Sequence, residues 1–212
     1  MISWLPRLYP ITDTKLSGLS HLAQVELLIS GGATLVQLRD KSCHSRDFYA
    51  AAMDCVKLAH SRGARLIIND RVDIAIAAAA DGVHLGQDDL PPEAARRLLG
   101  EDAIVGFSTH SLAQAVAADA LPVDYIAIGP VFGTSTKLNP DPVVGLDLVT
   151  AVSANISKPL VAIGGIALDN AFEVINAGAV SVAVISDLYR GGQIEERTRL
   201  YIQTLSSEPA VS

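Results

Sequence analysis

Short runs of apolar, mostly β-branched residues recur eight times along the chain, each separated from the next by residues of helical period. The runs fall at 8–12, 34–38, 66–68, 83–85, 104–107, 125–128, 160–163 and 182–185. Between them, residues such as Phe48, Ala52, Cys55 and Ala59 fall on one face of a helix. Strands read as continuous apolar runs when helices cover both faces of a parallel sheet. Regular alternation of strand and helix therefore predicts a parallel sheet, and eight units predict a single (β/α)₈ TIM barrel of class α/β. In such a barrel the active site lies at the C-terminal ends of the strands. The main competitor is a doubly wound open sheet. It usually has fewer strands and often a glycine-rich turn after the first, where this chain has Thr12-Asp13-Thr14-Lys15.

Helix punctuation agrees with this division. Pro92 opens a helix that Gly100 closes, Ser111 and Gln114 have capping-box spacing, and Gly63 and Gly178 sit where helices should end. At 212 residues with no Pro- or Ser-rich linker, the chain is expected to form one barrel domain over 1–205, with a disordered tail at 206–212. Apolar residues make up 50% and aromatics 5%, so Ala, Val, Ile and Leu must fill the core. Cys43 and Cys55 carry no metal or disulfide spacing and are expected to be small buried hydrophobes.

A net charge of -7 leaves no basic excess to replace phosphate counterions, so no nucleic-acid partner is expected. No membrane partner is expected either, because no charged-then-apolar leader and no membrane-length apolar stretch is present. The expectation is a cytoplasmic protein that acts on small molecules, with a homo-oligomer open. A small phosphorylated ligand is compatible with the acidic balance, since it needs only a few local cations and backbone N–H groups.

Polar residues gather where the apolar runs end. They are Gln37, Arg39 and Lys41; Asn69 and Asp70; Gln87 and Asp89; Ser108 and His110; Thr134, Thr136 and Lys137; Gly164 and Gly165; and Ser186. In a barrel these positions converge on one rim. Strand alternation puts Gln37, Arg39 and Lys41 on one face and Val36 and Leu38 on the other. Two cations and an amide in the barrel mouth suit a diphosphate, which Arg grips bidentately and Lys meets as a point charge. The bland alternative is a strand end with Arg39 paired to Asp40.

Asp70 and Asp89 fall at the tips of adjacent strands, where two carboxylates can share one Mg²⁺ completed by phosphate oxygens and water. Alternatively Asp70, and Asp88 or Asp89, cap the helices that follow them. Gly164-Gly165 and Ile185-Ser186 occupy the phosphate position of a barrel, where backbone N–H groups can meet an anion closely. The hydroxyl-rich loop 129–137 has the composition of a lid or ligand clamp. His84, inside a strand, reads as a satisfied core histidine, whereas His110 lies just beyond a strand end. No zinc spacing and no Ser-His-Asp order is present.

Taken in order, several segments resemble the thiamine phosphate synthase family. They are Tyr9-Pro10-Ile11-Thr12-Asp13, the 36–41 segment, Ile68-Asn69-Asp70, His84-Leu85-Gly86-Gln87-Asp88-Asp89, the 129–137 loop, Ile163-Gly164-Gly165-Ile166 and Val184-Ile185-Ser186. They run across nearly the whole chain. The resemblance implies a compact (β/α)₈ barrel that joins an aminomethylpyrimidine methyl diphosphate to a (carboxy)thiazole phosphate. Products would be thiamine phosphate and diphosphate. It further implies that Gln37, Arg39, Lys41, Asn69, Ser108 and Lys137 meet the pyrimidine diphosphate, with Arg39, Lys41, Ser108 and Lys137 as the catalytic set. Asp70 and Asp89 would hold Mg²⁺. Thr134, Ser135, Thr136, Gly165, Ile185 and Ser186 would meet the thiazole phosphate. A thiazole tautomerase-like paralogue, with His110 as base, and a non-catalytic phosphate-ligand sensor are the alternatives on the same barrel. The first needs neither a pair of metal carboxylates nor a diphosphate cation set.

Overall fold

The computed structural model describes residues 4–134 and 142–206. Within them one parallel sheet runs through β1 (Leu8–Pro10), β2 (Leu35–Leu38), β3 (Arg65–Asn69), β4 (Gly82–Leu85), β5 (Ile104–Thr109), β6 (Tyr125–Ile128), β7 (Leu160–Ile163) and β8 (Ser181–Val184). From β2 to β8 each strand pairs with its sequence neighbours, and β1 pairs with β8. The seam between β1 and β2 is closed by a parallel bridge from Ile11 to Gln37, and Thr12 N–H donates to the Gln37 carbonyl at 2.9 Å. Every apolar run of the sequence is a strand. The first is shorter than its run because Ile11 and Thr12 serve the seam instead of the ladder.

Helices α1 (Thr14–Ser17) and α2 (His21–Ser30) lie between β1 and β2, and α3 (Ser45–Ser61) follows β2. Thereafter each strand is followed by one helix: α4 (Val72–Ala77), α5 (Pro92–Leu99), α6 (Leu112–Asp119), α7 (Gly145–Asn155) and α8 (Ala171–Asn176). A 3₁₀ segment (Ser186–Gly192) leads from β8 to α9 (Ile194–Ser206). Helix α9 thus takes in Ser206, while 207–212, the rest of the expected tail, lie outside the described residues. Among the described residues no helix is long and apolar enough to cross a membrane.

Alternation along the strands splits the core in two. Val36, Leu38, Ile68, Val83, Val105 and Ile126 point outward into the layer shared with the helices. There they meet the buried α3 face of Phe48, Ala52, Cys55 and Ala59. Tyr9, Leu35, Ile67, Tyr125, Val161 and Ala183 point inward and fill the barrel. Gly106 is required by this filling: a Cβ there would lie 2.0 Å from Cζ of Tyr125.

Local signals are mostly realised. Pro92 begins α5, and Gly100 ends it at φ +86°, a backbone state that favours glycine. Ser111 accepts from Gln114 N–H at 3.2 Å, but the Gln114 amide oxygen takes the N–H of His110 rather than that of the cap itself. Cys55 is buried as expected; Cys43 is exposed, because its segment wraps around the Asp40 carboxylate, to which its N–H donates at 2.9 Å.

Candidate active site

The carboxyl ends of the strands surround a cavity of about 470 Å³. Every expected site residue that the structure describes lines it: Gln37 on β2 with Arg39 and Lys41 past its end, Asn69 on β3 with Asp70 after it, Asp89 past β4, and Ser108 on β5. Thr134, Gly165, Ile185 and Ser186 complete the other side. Ser135, Thr136 and Lys137 lie outside the described residues.

The β2–β5 side is charged. Arg39 does not pair with Asp40: its guanidinium sits 3.5 Å from Asp13 Oδ2. Asp40 is occupied instead by the N–H groups of Ser42 and Cys43 and by His21 Nε2 at 3.3 Å. Lys41 Nζ lies 3.2 Å from Asp70 Oδ2. Asp70 is no helix cap, since Arg71 holds the N-cap of α4 without a side-chain bond. Its backbone has φ +64°, a left-handed state that only a few per cent of non-glycine residues adopt. Such strain concentrates at functional positions. Neither Asp88 nor Asp89 caps α5, whose N-cap is Pro91, and the Asp89 carboxylate instead accepts from Gly86 N–H at 2.7 Å.

Asp70 and Asp89 face one another. Burial raises the Asp70 carboxyl above the ordinary value; Lys41 opposes the rise, and Asp89 reinforces it as a like charge and hydrogen-bond partner. Two crowded carboxylates, one just after β3 and one in the turn after β4, form a hard-oxygen donor set. Mg²⁺ typically needs only one or two protein carboxylates. No cluster of three or more His, Cys, Asp or Glu residues suited to a metal occurs among the described residues. A cation here would therefore draw its other ligands from substrate and water.

Among the described residues the β6–β8 side of the cavity carries no comparable charge. Val131 N–H donates to the Ile163 carbonyl at 2.9 Å and Phe132 N–H to the Gly164 carbonyl at 3.0 Å, pinning the loop after β6 onto the end of β7. Gly165 has φ +64°, and a Cβ on it would lie 2.5 Å from the Gly133 carbonyl oxygen and 2.7 Å from Phe132 Cβ. The close approach at Gly165 is thus made by the protein's own loop, a role its sequence did not disclose. Ser186 opens the 3₁₀ segment, which Asp187 anchors from behind. Burial pushes the Asp187 carboxyl up, but hydrogen bonds from Tyr201 (2.5 Å) and Arg197 (2.6 Å) prevail and hold it below the usual range.

Beneath the rim lies a polar group that the strand pattern concealed. Tyr9 and Tyr125 are buried side chains whose oxygens are 3.1 Å apart. Gln37 Nε2 donates to Tyr9 at 3.1 Å, and Tyr125 meets His84 Nδ1 at 2.9 Å. His84 Nε2 reaches Ser108 Oγ at 2.8 Å, so His84 is the satisfied interior histidine its position suggested. Tyr9 and Tyr125 read as ordinary apolar filling in the sequence, and only the closed barrel brings them together. His110 also lines the cavity, with Nδ1 donating to the Gly129 carbonyl at 2.6 Å.

A parallel eight-stranded barrel with charged groups, glycines and hydroxyls around one rim cavity belongs to the class of β/α-barrel enzymes of small-molecule substrates. Residues 8–188 match the family model described as thiamine monophosphate synthase. A thiamine-phosphate synthase of Koribacter versatilis is 51% identical, with 87% of this chain and 89% of the relative aligned. One of Chloroflexus aurantiacus is 43% identical over 94% of this chain and 91% of the relative. The solved thiamine phosphate pyrophosphorylase of Pyrococcus furiosus superposes with a TM-score of 0.85 at 34% identity, covering 94% of this chain and 95% of that one. The chain belongs to the thiamine monophosphate synthase family, a family of transferases.

Proposed function

We propose that the protein joins an aminomethylpyrimidine methyl diphosphate to a thiazole phosphate, giving thiamine phosphate and diphosphate, with Mg²⁺ at Asp70 and Asp89. The observation that carries the reading is the crowded carboxylate pair with Lys41 against Asp70 and Arg39 lining the same cavity. It faces a rim of glycine and hydroxyl groups across one cavity.

In the reaction the methylene C–O bond breaks and the diphosphate departs with the electron pair. The aminopyrimidine spreads the positive charge of the methylene, and the thiazole nitrogen supplies the new bond. No enzymatic nucleophile is needed. When bound, Mg²⁺ supplies charge neutralisation at the leaving diphosphate. Arg39 and Lys41 add fixed positive charge on the same side, and Lys137, outside the described residues, is assigned to join them. Gln37, Asn69 and Ser108 orient the pyrimidine diphosphate. Thr134, Gly165, Ile185 and Ser186, with Ser135 and Thr136 outside the described residues, hold the thiazole phosphate in line. Holding two reactants in register in a dry pocket supplies much of the remaining acceleration.

The test is incubation with both substrates and Mg²⁺. Thiamine phosphate and diphosphate should form in equal amounts, and excess EDTA should stop both. Undiminished turnover in EDTA would remove the metal assignment. Binding without product would favour a sensor, and conversion of the thiazole alone a tautomerase.

A further inference from the structure

Five strands each give one side chain to a continuous hydrogen-bonded chain under the rim: Gln37, Tyr9, Tyr125, His84 and Ser108. Four of them are buried at the floor of the cavity, with Tyr9 at 1%, Tyr125 at 0%, Gln37 at 2% and His84 at 9% exposure. Ser108, the last, is partly open to the cavity.

The direction of this chain follows from counting protons. An amide nitrogen can only donate, so the Tyr9 oxygen accepts from Gln37. Tyr9 has one proton to give. Its remaining neighbour in the chain is the Tyr125 oxygen at 3.1 Å. Tyr125, having accepted that proton, gives its own to His84 Nδ1 at 2.9 Å. A neutral imidazole carries one N–H, which must then sit on Nε2 and point at Ser108 Oγ, 2.8 Å away. Burial raises both phenols well above their usual value, so each keeps its proton, and an Nδ1 that accepts leaves the ring proton on Nε2. The packing serves the same end. The His84 and Tyr125 rings stack with centroids 5.6 Å apart, and only glycine at 106 leaves room for the Tyr125 phenol.

We propose that this chain is a one-way donor relay that fixes His84 in its Nε2–H tautomer and frees the Ser108 hydroxyl proton to donate to an anionic ligand oxygen in the cavity. Tyr9, Tyr125 and His84 are then positioning residues. The inference rests on the reading that Ser108 faces the diphosphate substrate. With the opposite polarity, Ser108 would give its proton to His84 and offer an anion only lone pairs. The identity of residue 37 sets the sense of the relay: an amide nitrogen starts it, and a carboxylate, which can only accept, reverses it.

The relay is tested first in ligand-free protein by long-range proton–nitrogen spectra of ¹⁵N-histidine-labelled samples, which report ring tautomers directly. Wild-type His84 should show Nε2–H with a bare Nδ1. Gln37→Glu, recorded on the alkaline side of neutrality so that the introduced carboxylate is ionised, should invert this to Nδ1–H. An Nδ1–H wild type, or an unchanged tautomer in Gln37→Glu, overturns the relay whether or not the protein makes thiamine phosphate. The second arm is kinetic. Tyr125→Phe keeps the ring and should lower kcat about tenfold, less than direct removal of a stabilising donor. On a Ser108→Ala background that loss should disappear, because residues acting as a unit are not additive. An equal loss on both backgrounds, or no loss on either, contradicts a role through Ser108.

Discussion

The two halves of the barrel mouth offer an anion different kinds of partner. From β2 to β5 the rim carries charge: Lys41, Asp70 and Asp89 crowd together, Arg39 lines the same cavity against Asp13, Asp70 holds a left-handed backbone, and its carboxyl is raised by burial. From β6 to β8 it uses backbone and hydroxyls: Gly165, Thr134 and Ser186 line the cavity, and the loop after β6 is pinned to β7 by main-chain bonds. The contrast fits two phosphorylated partners with different fates. A departing diphosphate gains charge as its bond breaks, so fixed cations and a metal ion stabilise the transition state more than the ground state. A phosphate that only anchors its substrate needs uniform binding, which backbone donors give without a large field.

The sharpest way to break this contrast is to remove the carboxylates. Asp70→Ala and Asp89→Ala should each lower kcat/KM by on the order of 10²-fold or more, the scale of losing one main electrostatic stabiliser. The double variant should cost little more than the worse single, because the two act as one unit. Multiplying losses in steady-state kinetics would mean that the two carboxylates act separately.

On the opposite side, Gly165→Val should raise the KM for the thiazole phosphate about tenfold and leave that for the pyrimidine within about twofold, a loss of uniform binding to one partner. Part of the effect should come from displacement of Gly133 and Phe132, which a Cβ at 165 would meet. A matched rise for both substrates would erase the division of the rim.

The smallest effect concerns stability. Because the folded Asp70 carboxyl is raised, the metal-free protein binds this proton more readily than the unfolded chain does. Its stability should therefore increase as pH falls through the folded value, and the ionised carboxylate should cost stability above it. Asp70→Asn removes the charge and keeps a residue type that tolerates left-handed backbone. In EDTA near neutral pH its Tm should rise by about 2 °C, what a change of roughly 0.5–1 kcal/mol gives at this size. The gain should vanish on acidification. A fall in Tm at neutral pH would show that the Lys41 contact outweighs the crowding of the two carboxylates.

What the sequence revealed and what it hid divide along the same physical line. Strand positions were legible because parallel strands buried on both faces leave uninterrupted apolar runs, as in Ile126 and Val161, and the rim residues were legible because they interrupt those runs. Alternation sorted Gln37 from Val36 and Leu38 for the same reason. Partner choice was not legible. Arg39 takes Asp13 rather than Asp40 because the β1–β2 seam brings 13 to 39 while the loop after β2 folds its N–H groups onto Asp40. Whether Asp70 and Asp89 cap helices or share a cation is open in the sequence, and the capping alternative falls because the N-caps are Arg71 and Pro91. Tyr9 and Tyr125 are 116 residues apart and meet only because the barrel closes, so nothing local could pair them.

The division of the rim is tested most directly by titrating inorganic diphosphate with Mg²⁺ into wild type, Asp70→Asn and Ser186→Ala and measuring heat. Asp70→Asn should bind the magnesium diphosphate at least about tenfold more weakly, a loss of roughly 1.4 kcal/mol. Ser186→Ala should stay within about twofold of wild type if its hydroxyl serves the other partner, as proposed. Equal weakening in both variants, or undiminished binding in Asp70→Asn, would contradict the assignment of the charged half to the diphosphate.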